Sequence, residues 1–348
     1  MAKKIDLLGI GSFCDENDLR GGLKRGGQSI RTIQVFSLLE KNFNYSSAVV
    51  SYENWRKNPF RVFVTFLKSI KKAKRVIIFP ASNAVRILLP ISIFFKNVFK
   101  YKLYYVLIGG SITELIKENK KYKKWLNRID GTFVQTKTMV SKLEEANVRN
   151  VFLLPNFKVY DEVKNQTLAV NSFKFIFFSR VVKGKGIEEA ANAFNYFYEK
   201  GHKFSIDIYG PIADEYSNKF SSLLKKYRKF LSYKGEVGSK EAPNIISSYF
   251  MQIFPTKYYT EGFPGSILDS FYAGVPILAS RWESADSVIE NLKTGLIYNF
   301  DDYSDMREKI EFIFNNPEII NNMRKKCLKE AKKYNPSKII NGMYKIIE

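Results

Sequence analysis

Phe175-Ile-Phe-Phe178-Ser-Arg180-Val-Val-Lys183-Gly-Lys185-Gly186-Ile187 is the stretch on which the fold turns. Its four opening residues are apolar, a run too short for a helix and suited to a strand buried on both faces. A basic loop with two glycines follows, and an amphipathic helical pattern takes over across 186–200. Strand, loop and helix in that order begin a parallel crossover unit. The alternation continues in both directions. Apolar runs at 5–10, 48–50, 75–79, 103–108 and 131–134 precede it, with helical patterns such as 29–41 and 59–74 between them. Runs at 205–209, 231–233, 253–255 and 276–279 follow, separated by helices near 215–229 and 264–272. The fold class is therefore α/β, with parallel sheets covered on both faces and ligands held beyond the carboxyl ends of the strands.

Length and charge bound the rest. A chain of 348 residues divides most naturally into two domains, each burying its own core. The polar stretch 158–172 is the expected linker, leaving domains over 1–157 and 173–335 and a last helix over 336–348. With 45% hydrophobic and 15% aromatic residues, the chain is not of the disordered class. Cys14 and Cys327 are its two cysteines; they make no disulfide scaffold and fit a reducing cytosol. The single histidine, His202, reads as an exposed loop residue and has no neighbours with which to bind zinc. Residues 1–10 lack a secretory pattern, and the apolar run 87–95 is broken by Pro90, so a soluble or peripheral protein is expected. The net charge of +22 is lopsided: residues 1–157 hold 28 Lys and Arg against 11 Asp and Glu, residues 158–348 hold 28 against 23. The first half is thus expected to face something anionic. No recognised RNA or DNA module accompanies the charge, which weakens a nucleic-acid role.

Three loops carry candidate chemistry. After the strand at 175–178, Arg180 offers two parallel donors and Lys185 a point charge, suited to a diphosphate; a solvated basic loop is the plainer reading. Glu261-Gly262-Phe263-Pro264-Gly265-Ser266-Ile267-Leu268-Asp269 places one carboxylate on a glycine-rich turn at the mouth of a helix and a second inside that helix. Helix mouths offer unpaired N–H groups and a positive dipole end to anions. Asp269, among Ile267, Leu268 and Phe271, needs a partner, and a ribose diol is a suitable one. A sugar nucleotide would suit both acids. Gly26-Gly27 closes a basic loop before the helix at 28 and could press on phosphates or an acceptor. Gly9-Ile-Gly11 lacks the third glycine of a dinucleotide fingerprint. Finally, 59–75 is basic and amphipathic, with Phe63, Phe66, Leu67 and Ile70 on one face and Lys68, Lys71, Lys72 and Lys74 around it. With the tracts 91–100 and 117–128 it suits either a core helix with a solvated rim or a membrane-surface element.

Together these residues resemble glycosyltransferase family four, the retaining enzymes of the GT-B fold, over essentially the whole chain. The likeness rests on Glu261 and Asp269 before Ala273-Gly274-Val275-Pro276, and on Arg180 with Lys185-Gly186. Asp207-Ile-Tyr-Gly210, Tyr233-Lys-Gly235-Glu-Val237 and the crossing Leu154-Pro-Asn-Phe157 complete it. It implies two Rossmann-like domains facing across a cleft, the acceptor on 1–157 and the nucleotide sugar on 173–335, with the last helix crossing back to the first domain. It implies Glu261, Arg180 and Lys185 as catalytic residues, Glu261 on the donor sugar's hydroxyls and Asp269 on the ribose. The amides of Gly265, Ser266 and Ile267 would hold the pyrophosphate, and Gly26, Gly27, Gly210, Gly235, Val237, Gly262 and Phe263 would line the donor. Two departures stand out. Asp269 replaces the more usual glutamate, and no histidine precedes His202, with Pro80, Ala81 and Ser82 where one would be sought.

The function so implied is retaining transfer of a hexose-type sugar from a nucleoside-diphosphate sugar, UDP favoured, without a metal or further cofactor. The acceptor would be a glycan, polyprenyl-pyrophosphate-linked, in bacterial capsule, O-antigen or exopolysaccharide synthesis. The place would be cytoplasmic, on the anionic inner face of the plasma membrane, and no nucleic acid is expected as partner. A nucleotide-sugar epimerase, a phosphorylase and a basic nucleic-acid-binding protein are the rival readings.

Overall fold

The computed structural model describes residues 4–13, 27–52, 55, 58–80, 84–110, 112–160, 163 and 172–348. The chain forms two compact units, one of residues 1–155 with 336–348 and one of residues 156–335.

The first unit is built on strands β1 (Ile5–Gly11), β2 (Ser47–Ser51), β3 (Ala73–Phe79), β4 (Lys102–Val106), β5 (Gly131–Val134) and β6 (Val151–Leu153). They form one parallel sheet in the order β2-β1-β3-β4-β5-β6. The central strands are apolar almost throughout, with Val76, Ile77, Ile78 and Phe79 inaccessible to solvent, because helices cover both faces. Helix Pro336–Ile347 belongs to this unit: Tyr344 stacks on Phe43 of helix Gly27–Phe43 at 3.7 Å between ring centroids, and Arg75 Nε donates to the Ile347 carbonyl at 2.7 Å.

Two helices of this unit depart from the sequence expectation. The pattern across 59–75 is not one element: helix Pro59–Ile70 stops, and from Ala73 the chain pairs with β1. The run containing Pro90 is not broken, since helix Val85–Phe99 passes through it. That helix buries Val85, Leu89, Ser92 and Ile93 and turns Ile87, Ile91, Phe94 and Val98 outward at helical spacing. Helix Pro59–Ile70 buries Phe66 and Ile70 and leaves Phe60 and Phe63 exposed. The helices meet where Phe66 and Phe95 pack edge to face at 5.6 Å. Phe60 is 79% exposed, and Ile87 and Phe94 64% each, so the outer surface of this helix pair carries large apolar side chains. Exposed Arg61, Lys68, Lys71, Lys72, Arg86 and Lys100 lie on or beside the same helices. No helix of the described residues is long and apolar enough to cross a membrane.

The second unit contains β7 (Lys174–Phe178), β8 (Ser205–Tyr209), β9 (Leu231–Tyr233), β10 (Met251–Phe254), β11 (Ile277–Ser280) and β12 (Gly295–Tyr298). All neighbours are parallel, in the order β12-β11-β10-β7-β8-β9. Read from β9, this is the doubly wound order 3-2-1-4-5-6, whose direction of winding reverses between β7 and β10. Helix Ile187–Glu199 buries Ile187, Ala190, Ala191, Ala193, Phe194 and Phe197 on one face, as its spacing requires. His202 is not a free loop residue: its ring stacks on Phe314 at 4.6 Å. Arg324 is wholly buried, donating to the carbonyls of Tyr249 and Ser247 at 2.8 Å each. Cys327 is buried as well, its thiol pushed up from the ordinary range by burial.

Candidate functional site

The winding reverses between β7 and β10, and sheets of this kind bind ligands beyond the carboxyl ends of the strands at such a point. The loop after β7 carries Arg180, a 3₁₀ turn at Lys183–Lys185 and then Gly186. Gly186 has φ +72°, and a Cβ there would lie 1.8 Å from the Pro255 carbonyl oxygen. Only glycine permits this approach. Lys257 N donates to the Gly184 carbonyl at 2.9 Å, and a Cβ on Gly184 would enter the Tyr258 ring. The loops after β7 and β10 are thus pressed together by backbone contacts.

That contact sets the central pair. Lys185 Nζ meets a Glu261 carboxylate oxygen, both side chains less than one-fifth exposed. The ammonium also faces the Phe254 and Tyr258 rings at 5.3 and 5.2 Å. Thr256 Oγ1 lies 3.4 Å from the same carboxylate oxygen. The turn bearing Glu261 is anchored elsewhere: Trp282 Nε1 donates to the Gly262 carbonyl at 3.3 Å, and Asn156 Nδ2 to the Phe263 carbonyl at 2.9 Å. Phe263 itself is buried against Tyr334.

Helix Gly265–Ala273 starts directly after this turn with no side-chain cap. Ile267 N donates to the Pro264 carbonyl at 3.2 Å, so the expected trio of amides reduces to Gly265 and Ser266 as open donors of the first turn. On the other flank, Gly210 has φ +135°, and a Cβ would sit 2.0 Å from the Ser179 carbonyl oxygen. Gly210 N donates to the Gly235 carbonyl at 3.0 Å, and Tyr233 OH to the Gly210 carbonyl at 3.0 Å. Gly210 and Gly235 therefore stitch the loops after β8 and β9 to the one that carries Arg180. Val237, two residues on, is half-buried.

Among the described residues the Arg180 guanidinium is exposed and has no hydrogen bond or ion pair, whereas Lys185 is committed to Glu261. The two cations do not share a partner. Gly27 begins helix Gly27–Phe43 in the first unit, and Gly26 lies outside the described residues, as do Ala81 and Ser82.

Asp269 is 1% exposed, and its partners come from within the chain. Lys158 Nζ lies 2.6 and 2.7 Å from its two oxygens, and Tyr160 OH donates to one of them. Burial first, then the Asp269 charge, holds the Tyr160 phenol well above its ordinary range. Tyr160 also packs on Tyr272 at 4.3 Å between ring centroids. Lys158 and Tyr160 were missed from the sequence, where 158–172 reads as a polar linker, and Asn156 figures there only as part of the crossing 154–157. The available signal was Asp269 itself, a buried carboxylate that demands a cation or donor.

Comparison with known proteins places the fold. The structure superposes on that of Anabaena Alr3699/HepE, solved in complex with UDP, with a TM-score of 0.75, 11% identity, and 98% of this chain and 99% of that one covered. Sucrose-phosphate synthase from Thermosynechococcus elongatus gives a TM-score of 0.71 at 13% identity, covering 98% of each chain. These likenesses show the two-domain α/β fold of GT-B type. In sequence, the capsular polysaccharide biosynthesis glycosyltransferase CapM of Staphylococcus aureus is 29% identical over 166 residues, 47% of this chain and 42% of CapM. The match thus spans less than half the length of that relative. The family "Glycosyl transferases group 1" matches residues 159–334, which include Arg180, Lys185, Glu261 and Asp269, and the chain belongs to it.

Proposed function

We propose that the protein is a glycosyltransferase that moves a hexose-type sugar from a nucleoside-diphosphate sugar to a glycan, with retention of the anomeric configuration. The observation that carries the reading is the Lys185–Glu261 pair, set at the reversal point of the sheet next to the uncapped head of helix Gly265–Ala273. Family membership supports transfer, and the UDP in the HepE complex supports UDP as carrier.

In this reading the diphosphate lies against the Gly265 and Ser266 amides, where a helix head stabilises negative charge. Arg180, exposed and unpaired among the described residues, and Lys185 stabilise the charge that develops as the sugar–phosphate bond breaks. Glu261 grips the donor sugar's hydroxyls, and Lys185 orients its carboxylate. The departing phosphate oxygen takes the proton of the attacking acceptor hydroxyl on the same face of the sugar. Asp269 completes the acidic pair of the donor site.

The acceptor is a lipid-linked, pyrophosphate-bearing glycan of bacterial surface polysaccharide synthesis, reached from the cytoplasmic leaflet. CapM's description supports the capsule, and the excess of basic residues in 1–157 supports the anionic surface. The exposed Phe60, Ile87, Ile91, Phe94 and Val98 beside those cations form a surface that an anionic bilayer would cover. Thermal-shift screening of the full chain against nucleotide sugars, then nucleoside-diphosphate release with and without glycan acceptor, tests the proposal. Acceptor-dependent release supports transfer. Sugar phosphate formed from the glycan only when inorganic phosphate is added would instead establish a phosphorylase, and sugar isomerisation without acceptor an epimerase.

A further inference from the structure

Lys158 is the best-placed cation that neither the sequence motifs nor the family likeness singles out. It leaves the segment that opens the second unit and lies across the first turn of helix Gly265–Ala273: a Cβ on Gly265 would meet its Cε at 3.1 Å and its Nζ at 3.4 Å. Its ammonium then reaches one turn along the helix to Asp269, 2.6 and 2.7 Å from the two oxygens. An ammonium has three N–H donors, and the carboxylate occupies two. The side chain keeps 19% of its surface accessible, whereas Asp269 keeps 1%. A buried acid, itself fixed by Tyr160, therefore holds a partly open cation beside the Gly265 amide.

We infer that Lys158 is a donor-binding residue that contacts the diphosphate through its third N–H, and that Asp269 is the positioning residue that aims it. The inference rests on the nucleotide-sugar reading above. It assigns Asp269 a different task from ribose contact: the acid is 1% exposed, and Lys158 on both oxygens and Tyr160 on one take most of its acceptor sites, leaving little of it for a ribose diol. Gly265 acquires a reason as well, since a larger residue would push against the lysine stem where it crosses the helix.

The test is calorimetric binding to the full chain. UDP, GDP, ADP and CDP are screened first, and the tightest is kept with its own nucleoside, which is scored as a competitor. Lys158→Met should bind the diphosphate about tenfold or more weakly while nucleoside competition is unchanged, as expected for loss of one charge-assisted bond. Lys158→Arg should restore much of the affinity. Asp269→Asn should weaken the diphosphate and spare the nucleoside. Because Lys158→Met strands a buried carboxylate, Lys158→Met/Asp269→Asn is measured with it, and melting curves confirm folding. Unchanged diphosphate affinity in a folded Lys158 variant would overturn the inference. So would an Asp269→Asn variant that loses nucleoside and diphosphate equally, because the acid would then hold the ribose itself. If the unsubstituted protein binds none of the four diphosphates, the donor-site reading fails and this inference falls with it.

Discussion

Gly186→Ala should damage both the stability of the second unit and the site it carries. Gly186 has φ +72°, and placing an L side chain in that region costs about 1–2 kcal/mol. The added Cβ would also lie 1.8 Å from the Pro255 carbonyl oxygen, a backbone atom that no rotamer change can move aside. Relieving the overlap requires the loops after β7 and β10 to separate by more than an ångström. Forced backbone shifts of this kind cost about 1–3 kcal/mol, so the sum is about 2–5 kcal/mol. Gly201 supplies an internal control, with φ +87° and nothing within 4 Å of a built Cβ. Gly201→Ala therefore carries the backbone strain alone, about 1–2 kcal/mol. Urea midpoints of the two variants isolate the overlap, and nucleotide binding reports whether Lys185 and Glu261 have been parted. Equal midpoints, or full donor affinity in Gly186→Ala, would refute the claim that backbone contact between these loops builds the site.

Further outcomes follow from single contacts. Arg324→Met should cost about 2–4 kcal/mol in urea unfolding, since it removes two 2.8 Å charge-assisted bonds and strands the buried carbonyls of Tyr249 and Ser247. The Asp6 carboxyl is held below its ordinary 3.8, chiefly by the Lys74 ammonium at 2.6 Å and then by Ser46 N–H. A depressed carboxylate stabilises above its unfolded value and loses that contribution as pH falls through the folded one. Lys74→Met should therefore cost under about 1 kcal/mol at pH 6 and less at pH 2, by urea midpoints at both. Phe60→Ser with Phe94→Ser should leave melting nearly unchanged, both side chains being largely exposed, and weaken co-sedimentation with anionic vesicles about tenfold or more. An unsubstituted protein that ignores such vesicles at low salt would end the membrane proposal.

The parallel architecture was legible because its strands are buried on both faces, which turns 175–178 or 75–79 into unmistakable apolar runs. The strands that escaped are β6 and β12. β6 is three residues long, lies at a sheet edge and leaves Leu153 exposed, so little apolar pattern marks it. β12 is four residues long and begins with Gly295, whose missing side chain lets the backbone approach Ile277. The helix Pro59–Ile70 was extended into β3 because Lys71, Lys72 and Lys74 continue a helical charge pattern that strand pairing at Ala73 overrides. At the site, Glu261 and Lys185 could be named because each sits in a loop with its own local signature. The Lys158–Asp269 contact joins residues 111 positions apart, and nothing near Lys158 in sequence announces it. Only the burial of an acid in an apolar helix hinted that a partner existed, and that hint did not say whether ligand or protein supplied it.

The most direct measurement is turnover of the best nucleotide sugar by the Glu261→Ala protein beside the unsubstituted chain, with folding confirmed by matched melting curves. If Glu261 grips the donor sugar opposite the cations on its leaving group, acceptor-dependent release of nucleoside diphosphate should fall about 100-fold or more. Turnover at the original rate would contradict the account.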